Sequence, residues 1–473
     1  MYHKKTKIVA TIGPATEGEA ELEKLFNHGV NVVRLNFSHG DFAEHGLRIK
    51  RTRALSKKLG LPIAILQDLA GPKIRLGEFY QERVTLIEGA KFILTTKEQV
   101  GDESIAFINY PKLPKEVKKG QIIFFDDGKK KLIVEKVVGE KIHCQILVGG
   151  ETKGRRGVNV PGAYLSISSL TDKDKKDLEF GIKEGVDFMA LSFVRRPEDI
   201  LELRAILTKR QAEQIKIIAK IETQEAIDNL DAILAVTDAV MVARGDLAIE
   251  IPAEQVPFWQ KTIITKCNKF GKPVITATQM LESMISSPVP TRAEVSDIAN
   301  AIFDGTDAIM LSEETTLGKF PLKAIEVMYR VATHTEKSRD NGHFLTREHL
   351  TLKTTEDSLA AAAISMAHEI SAGALVVYTS SGRTAQLLSR FRPNTPLWAL
   401  TGNEKIYHQL ALSFGCYPIL VKAPKNLLAF GDLARKTLSE KALVKKGQTI
   451  ILVTGLPLNK QSHRANMIFT EVV

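Results

Sequence analysis

Short apolar segments that end in polar residues recur along most of the chain. Examples are KIVATIGP from Lys7, IKIIAKIE from Ile215 and DAIMLSEE from Asp307. Runs this continuous are typical of strands that are buried on both faces of a parallel sheet. Eight of them occur, beginning at positions 7, 31, 62, 187, 215, 238, 273 and 307.

Helical patterns separate these runs. In PTRAEVSDIANAIFDG, Thr291 and Glu294 form a capping box, and Gly305 marks the helix end. Pro197 begins another helix and Gly185 ends a third. Eight strands that alternate with helices predict a (β/α)8 barrel, whose active site lies at the carboxyl ends of the strands.

One interval, 77–157, breaks this alternation between the third and fourth strands. Its segments RVTLIEGAKFILTT and GQIIFFDDGKKKLIVEKVV favour β-structure, and Asp127-Gly128 indicates a hairpin turn. We therefore expect an inserted β-barrel domain that acts as a lid. The catalytic barrel would comprise residues 1–76 and 158–340.

The pattern changes again after Arg330. The polar stretch EKSRDNGHFLTREHLTLKTTED indicates a linker, and a helix follows it. Four strand-like segments come next: ALVVYT, PLWALT, YPILV and QTIILVTG. They predict a doubly wound α/β domain over residues 341–473. Small donor-rich residues open a helix after its first strand, where phosphate binding and ordinary capping both fit: Thr379, Ser380, Ser381, Gly382, Arg383 and Thr384.

Composition narrows the class of protein only slightly. The chain is 44% hydrophobic and 25% charged, and it has neither a run of about 18 apolar residues nor a signal-peptide core, so we expect a cytosolic protein without membrane spans. The distant cysteines Cys144, Cys267 and Cys416 argue against disulfides and structural zinc. A net charge of +10 fits an anionic small substrate, nucleic acid or an unspecialised surface, but the basic residues are not clustered with aromatic ones.

Charged and hydroxyl side chains stand at the predicted carboxyl ends of the strands: Arg34, Asn36, Asp68, Lys220, Glu222, Asp246, Thr278 and Glu314. Glu222 and Asp246 are hard oxygen ligands of the kind that hold Mg²⁺. Lys220 and Arg34 could stabilise a developing phosphoryl or enolate charge. Isolated ion pairs, Lys220 with Glu222 or Arg34 with Asp68, are the structural alternative.

Ten stretches carry a family resemblance: KIVATIGPAT, VVRLNFSHG, QDLAGPKIR, GVNVPG, AKIE, VARGDL, TATQMLESM, PTRAEVSDIANAI, IMLSEET and SGRTA. With these in order, the chain resembles pyruvate kinase over essentially its full length. The resemblance implies transfer of the phosphoryl group of phosphoenolpyruvate to ADP, giving pyruvate and ATP. It also implies Mg²⁺, with Mn²⁺ as a substitute, and a cytoplasmic homotetramer without nucleic-acid or membrane partners.

The resemblance also implies roles for individual residues. Glu222 and Asp246 would hold Mg²⁺, and Lys220 and Arg34 would face the transferred phosphoryl group. Gly245 and Thr278, with Asp246, would contact the substrate, with Thr278 or a linked water near the carbon that takes the proton. Nucleotide contacts would come from Asn36, His39, Arg75 and Arg156. A phosphorylated effector would bind the loop Thr379–Thr384.

Three departures from the family pattern change these expectations. Potassium-requiring members bind K⁺ with an Asn, a Ser, an Asp and a Thr; this chain keeps Asn36, Ser38 and Asp68 but has Leu69 at the fourth place. Lys73 stands where those members carry Glu, so the chain resembles the potassium-independent branch, with the Lys73 ammonium in place of the ion. Glu313 replaces a glycine and is expected to be a solvated neighbour. No glycine follows Gly455, which leaves the effector open.

Two other functions fit part of the pattern. A lyase or aldolase would use Lys220 to form a Schiff base, although the paired carboxylates argue against it. A basic binding protein with an inactive barrel would not need the complete set of polar strand ends.

Overall fold

The computed structural model describes residues 4–338, 354–456, 458 and 465–473. The first part of the chain builds three strands and two helices. The strands are β1 (Lys7–Thr11), β2 (Val32–Asn36) and β3 (Ala64–Asp68), and the helices are α1 (Glu19–Asn27) and α2 (Phe42–Leu59). Almost every residue of the three strands is buried, as expected from their continuous apolar runs.

The insert after β3 is rich in β-structure, as predicted. Its elements are β4 (Arg83–Leu86), β5 (Lys91–Thr95), β6 (Ile105–Phe107), α3 (Leu113–Glu116), β7 (Ile122–Phe125), β8 (Lys130–Val138), β9 (Lys141–Val148), β10 (Gly150–Lys153) and β11 (Val158–Asn159). They pair as a six-stranded sheet and a two-stranded ribbon around one apolar core, rather than as a single continuous sheet. Asp127 and Gly128 lie in the turn between β7 and β8, as predicted, and both have positive φ.

The chain then returns to the barrel. Its remaining strands are β12 (Phe188–Leu191), β13 (Lys216–Ile221), β14 (Ala239–Ala243), β15 (Val274–Ala277) and β16 (Ala308–Leu311). The helices of this part are α4 (Asp172–Lys183), α5 (Pro197–Lys209), α6 (Gln224–Asp228), α7 (Leu230–Val236), α8 (Arg244–Glu250), α9 (Val256–Phe270), α10 (Arg292–Asp304), α11 (Glu313–Thr316) and α12 (Pro321–Ser338). The predicted capping box of Thr291 and Glu294 begins α10, and Gly305 ends it in the left-handed conformation.

The eight parallel strands close into a barrel, which confirms the prediction. The strand β3 pairs with β12 across the insert, and β1 pairs with β16 to complete the circle. Side chains such as Val9, Leu66 and Met241 fill the interior. Ala411 and Leu412, from the C-terminal part of the chain, join the same cluster, so the C-terminal domain packs against one end of the barrel.

The C-terminal domain has an α/β fold, as predicted. Its elements are α13 (Thr355–Glu369), β17 (Ala374–Tyr378), α14 (Arg383–Ser389), β18 (Leu397–Thr401), α15 (Glu404–Gln409), β19 (Cys416–Leu420), α16 (Leu427–Glu440), β20 (Thr449–Thr454) and β21 (Met467–Val472). The strand order is β19-β18-β17-β20-β21, and only β21, which the sequence pattern did not predict, runs antiparallel.

Two predictions concern residues outside the described ranges. Most of the expected linker lies in 339–353, and seven residues of the altered segment after Gly455 lie at 457 and 459–464. Within the described ranges, no helix is both long and apolar enough to cross a membrane. All three cysteines are buried free thiols.

Candidate active site

Lys220 stands at the centre of the polar cluster at the carboxyl end of the barrel. Side chains alternate along β13, so Lys220 and Glu222 project to the same side. The Lys220 ammonium lies 2.9 Å from Glu222 Oε1 and 3.4 Å from Asp68 Oδ1, and it donates to Ser192 Oγ at 2.7 Å. Burial alone would lower the pKa of Lys220, but the surrounding carboxylates outweigh it and raise that pKa. Lys220 is therefore a fixed positive charge.

A second cation, Arg34, lies beside the carboxylate of Asp68, which also contacts Lys220. Arg34 Nε donates to Asp68 Oδ2 at 2.7 Å, and Arg34 Nη1 donates to Thr11 Oγ1 at 2.9 Å. Burial favours the neutral form of Asp68, but Lys220 and Arg34 outweigh it and hold the pKa of Asp68 below its ordinary value. The predicted Arg34–Asp68 pair therefore exists, and it is continuous with the Lys220–Glu222 pair.

Glu222, which contacts Lys220, interacts with two further carboxylates, those of Asp246 and Glu250. Glu222 is only 1% exposed, and its Oε2 accepts a hydrogen bond from the Phe193 amide at 2.7 Å. Burial raises the pKa of Glu222, Lys220 opposes that shift, and Asp246 adds to it. Burial also raises the pKa of Glu250 to about 7, an effect that Asp246 and Glu222 reinforce against the hydrogen bond from Asn159.

This concentration of mutually repelling charge fits a divalent cation. No group of three or more His, Cys, Asp or Glu side chains in metal-binding geometry occurs within the described part of the chain. The two carboxylates of Glu222 and Asp246 are enough for Mg²⁺, which usually takes its other ligands from water and substrate phosphate. The residues present therefore fit a magnesium ion completed by substrate.

Thr278 adopts a backbone conformation that is rare for its type. Its φ is 69°, in the left-handed region that β-branched residues avoid. The Thr278 hydroxyl accepts from the Gly245 amide at 2.8 Å and donates to Ala277 O at 2.7 Å. Arg244 donates to Thr278 O at 2.7 Å and pairs with Asp297 at the same distance. Strain held in place by several contacts in this way is characteristic of functional sites.

A cleft of about 1100 Å³ opens beside these residues. Gly245, Asp246 and Thr278 line its barrel side, and the β7–β8 hairpin, including Lys129 and Lys131, lines the opposite side. The hairpin of the insert therefore faces Asp246 and Thr278 across the cleft. A cleft of this size accommodates a nucleotide together with a small substrate.

The structure places the predicted nucleotide-binding residues around the cluster rather than in it. His39 and Arg75 are exposed, and Arg75 donates to Arg155 O at 3.1 Å. Arg156 lies 3.0 Å from Asp126, in the turn of the lid hairpin. Asn36 Oδ1 accepts from the Ser38 amide at 3.1 Å.

Lys73 lies at the base of the insert. A Cβ added to Gly157 would come within 2.5 Å of Lys73 Cε, so the lysine side chain passes directly over that glycine. Lys73 lines a second cavity together with Glu250. Among the residues that the structure describes, no hydrogen bond or ion pair joins Lys73 to Asn36, Ser38 or Asp68.

Two glutamates near the cleft differ in their surroundings. Glu314, which the sequence pattern placed among the polar strand ends, is buried, and its carboxylate accepts from the amides of Leu281 and Ser312. Glu314 lines the cleft, but its carboxylate is engaged by these two amides and holds two loops together, so it is not a free charge there. Glu313 is exposed, which agrees with the expected solvated neighbour.

Sequence reasoning missed four contributors: Ser192, Phe193, Arg244 and Glu250. Ser192 and Phe193 follow β12, so their place at a strand end was a signal. No sequence signal marked Glu250, because its nearness to Glu222 depends on the course of α8.

The residues of the predicted effector loop, Thr379–Thr384, line two different cavities. The Gly382 amide donates to Thr379 Oγ1 at 2.9 Å, and Gly382 has a φ of 82°, which agrees with the capping interpretation. Thr379, Ser380 and Thr384 line a small cavity beside Gly455. Arg383 lines a different cavity, next to the barrel.

Comparisons with known proteins agree with this geometry. Residues 3–325 match the family model "Pyruvate kinase, barrel domain", and residues 357–469 match "Pyruvate kinase, alpha/beta domain". The chain is 43% identical to a pyruvate kinase of Clostridium acetobutylicum, covering 99% of each. It is 44% identical to one of Thermotoga maritima, covering 96% of this chain and 97% of that protein. A crystal structure of a pyruvate kinase from Cryptosporidium parvum superposes with a TM-score of 0.93 at 33% identity, covering 99% and 96%.

Proposed function

Because the chain belongs to the pyruvate kinase family, we propose that its barrel-end cluster transfers the phosphoryl group of phosphoenolpyruvate to ADP. The bond between the phosphorus and the enol oxygen breaks, and a bond forms between the phosphorus and a terminal β-phosphate oxygen of ADP. The enolate left behind takes a proton on carbon to become pyruvate. The observation that carries the proposal is the buried Lys220 ammonium among the carboxylates of Asp68, Glu222 and Asp246, the last of which lines a nucleotide-sized cleft.

Positioning and charge neutralisation dominate phosphoryl transfer, and the cluster supplies both. Lys220 and Arg34 are held in place by Asp68, so their charge needs no rearrangement when the phosphoryl group passes. Glu222 and Asp246 would hold Mg²⁺, or Mn²⁺ in its place, and the ion would neutralise charge on the phosphate oxygens.

The substrate carboxylate would lie against Gly245 and Thr278. The Gly245 amide donates to Thr278 Oγ1 in this structure, and both groups line the cleft. A bound carboxylate would accept hydrogen bonds from both. The strained Thr278 backbone fixes the position of this hydroxyl, and the hydrogen bond from Arg244 to Thr278 O holds that backbone in place.

The lid would supply the nucleotide side of the site. Lys129 and Lys131 face the cleft from the hairpin, Arg156 pairs with Asp126 in the hairpin turn, and Arg75 pairs with Gly157 at the base of the insert. Closure would bring these positive charges to the ADP phosphates and exclude water, which protects the phosphoryl group from hydrolysis.

The raised pKa of Lys220 disfavours the lyase or aldolase alternative. A lysine that forms a Schiff base must lose its proton to become a nucleophile, and enzymes achieve this with a lowered pKa. The carboxylates around Lys220 have the opposite effect.

We further propose that this chain does not require K⁺, although the family generally uses both Mg²⁺ and K⁺. Asp68, one of the expected potassium ligands, already contacts Arg34 and Lys220, so its charge is balanced without a monovalent ion. Leu69 offers no ligand oxygen from its side chain, and Lys73 brings a positive charge where potassium-requiring members have a negative one.

Further properties are proposals of the same kind. The family resemblance implies a homotetramer and a phosphorylated effector at Thr379–Thr384, and the sequence pattern predicts a cytoplasmic location and domain boundaries at about residues 76, 157 and 340. Size-exclusion chromatography with light scattering tests the first of them.

Pyruvate formation tests the proposed function. The purified chain is assayed with phosphoenolpyruvate, ADP and Mg²⁺ in K⁺-free buffer, and then with K⁺ added. Activity in both buffers supports the whole proposal. Activity only with K⁺ supports the reaction but contradicts the independence from K⁺. Folded protein that forms no pyruvate in either buffer, even with sugar-phosphate and nucleotide activators, contradicts the reaction.

A further inference from the structure

Glu250 lies where the inserted β domain meets the barrel. It is the last residue of α8, whose first turn carries Gly245 and Asp246 into the cleft. The Glu250 side chain lines that cleft and also the separate cavity that Lys73 lines. Among the residues that the structure describes, no other is common to the two linings. Glu250 therefore forms part of the wall between the cleft and the cavity beside Lys73.

Two segments of the chain, 74–76 and 157–159, connect the insert to the barrel. Their backbones pair with each other, and together they form the root of the insert. Asn159, in the second segment, donates from its side-chain amide to Glu250 Oε1 at 2.9 Å. This hydrogen bond joins the root of the insert to the end of α8.

The position of Asn159 also determines the position of the hairpin that faces the cleft. Asn159 belongs to β11, which pairs with β7 at Phe124. The strand β7 leads directly into the β7–β8 hairpin, whose Lys129 and Lys131 line the cleft. Because the hairpin extends away from the root, a small rotation at Asn159 produces a larger movement at the hairpin turn. The hydrogen bond to Glu250 therefore limits the positions that the hairpin can adopt.

The hairpin turn lies close to the same end of α8. A Cβ added to Gly128 would lie 3.6 Å from Ile249 Cγ1, which is an ordinary van der Waals distance. Ile249 precedes Glu250, so the last turn of α8 approaches the insert at both its root and its hairpin. Gly245 and Asp246 belong to the first turn of this short helix. A rigid helix of this length couples the position of the insert to the positions of these two residues.

We propose that Glu250 is a positioning residue, which accepts the hydrogen bond from Asn159 and so keeps the insert and α8 in a fixed relative position. The inference rests on the proposed phosphoryl transfer and adds to it a residue that acts through Asn159 and α8. Loss of the hydrogen bond would allow the hairpin and Asp246 to shift relative to Lys220. Such displacements slow a reaction that depends on positioning.

Steady-state kinetics at saturating ADP and Mg²⁺ tests this proposal. Asn159→Ala and Glu250→Ala should each lower kcat about tenfold. KM for phosphoenolpyruvate should change less than about threefold, since Lys220 and Arg34 are untouched. The double variant should be no slower than the slower single variant, because both changes remove the same hydrogen bond. Glu250→Gln keeps an acceptor for Asn159 and should keep at least about half of the wild-type kcat.

Gln145→Ala is the matched control. It also removes one side-chain hydrogen bond of the insert, from Gln145 Nε2 to Gly89 O at 3.3 Å, and both of these residues lie within the insert. The variant should behave as wild type in every measurement.

The distance between the insert and the barrel tests the contact without turnover. Nitroxide labels on Lys119→Cys and Glu254→Cys, at exposed positions in the insert and just after α8, give a distance distribution by pulsed electron paramagnetic resonance. The native cysteines are buried and should not be labelled. We expect Asn159→Ala and Glu250→Ala to broaden the distribution, and Glu250→Gln and Gln145→Ala to leave it unchanged.

Two results would overturn the proposal. One is a distance distribution that stays the same in Asn159→Ala and Glu250→Ala, because the hydrogen bond would then not hold the insert. The other is a loss of kcat in Glu250→Gln as large as that in Glu250→Ala, or losses that add in the double variant, because Glu250 would then not act through Asn159. A wild-type chain that forms no pyruvate would contradict the proposed function, and the distance measurement would still decide whether Glu250 holds the insert.

Discussion

The ammonium of Lys220 lies 2.9 Å from the carboxylate of Glu222, two residues further along the chain at the end of a barrel strand. Both side chains are almost completely buried, so loss of either charge would leave the other less well compensated. Asp68 and Arg34 extend the pair into a network that fixes two cations at the carboxyl end of the barrel. A structural ion pair alone would not need the additional carboxylates of Asp246 and Glu250, whose charges act on the same site.

Replacement of Lys220 should abolish most of the activity. We expect Lys220→Gln to lower kcat by about 10²–10³-fold, since a preorganised charge at the transferred group is lost. Lys216→Gln, at the other end of the same strand, is the matched control and should keep basal activity. Steady-state kinetics on protein with native circular dichroism measures both. Equal losses in the two variants would show a general effect on the strand instead.

The two proposed metal ligands can be tested without turnover. Glu222→Gln and Asp246→Asn should each weaken Mn²⁺ binding at least about tenfold, measured by electron paramagnetic resonance of the free ion. Glu313→Gln removes an exposed carboxylate that lines the same cleft and should leave Mn²⁺ affinity unchanged. Unaltered affinity in the first two variants would place the metal elsewhere.

Lys73 is the residue that determines the expected response to potassium. Wild-type activity should be nearly the same with and without K⁺. Lys73→Glu should lose activity in K⁺-free buffer and regain it when K⁺ is added, since the ion would replace the missing positive charge. Lys73→Gln separates the loss of a positive charge from the gain of a negative one. A Lys73→Glu enzyme that is equally active in both buffers would refute this role.

Glu250 should make the metal-free protein less stable as the pH rises. Its pKa of about 7 in the folded state lies above the ordinary value of 4.5, so its contribution to stability is complete below about pH 4.5 and is lost as the pH rises through 7. Glu250→Gln removes this loss and keeps an acceptor for Asn159. The variant should be about 3 kcal/mol more stable than wild type at pH 8, and less than about 1 kcal/mol more stable at pH 5.

Denaturant unfolding in EDTA at the two pH values measures this difference. Asn159→Ala is the control for the hydrogen bond to the lid, because it removes the donor and leaves the carboxyl group. A Glu250→Gln variant whose stability changes with pH as steeply as that of the wild type would contradict the assignment.

The barrel was predictable because its signals are local. Each strand is buried on both faces, which forces a continuous apolar run such as that from Ile215, and caps such as Thr291 mark the helices between them. The strand ends of such a barrel must meet, so the sequence alone groups Arg34, Asp68, Lys220 and Glu222.

The remaining features depend on contacts between distant segments. Glu250 reaches the cluster only through the course of α8, and the position of Lys73 is set by Gly157 at the far end of the insert. The strand β21 has neither a continuous apolar run nor a buried face of its own, because it pairs only at the sheet edge. Glu314 belongs to the strand ends, but two backbone amides occupy its carboxylate, which its position in the sequence does not reveal.

Phosphorus NMR of a mixture of phosphoenolpyruvate, ADP and Mg²⁺ in K⁺-free buffer tests the central claim most directly. With the wild-type chain, the phosphoenolpyruvate signal should fall as the γ-phosphate signal of ATP rises by the same amount. The transfer should be at least about a hundredfold slower with Lys220→Gln. Release of the phosphoryl group as inorganic phosphate, or equal ATP formation by the two proteins, would contradict the role of this site.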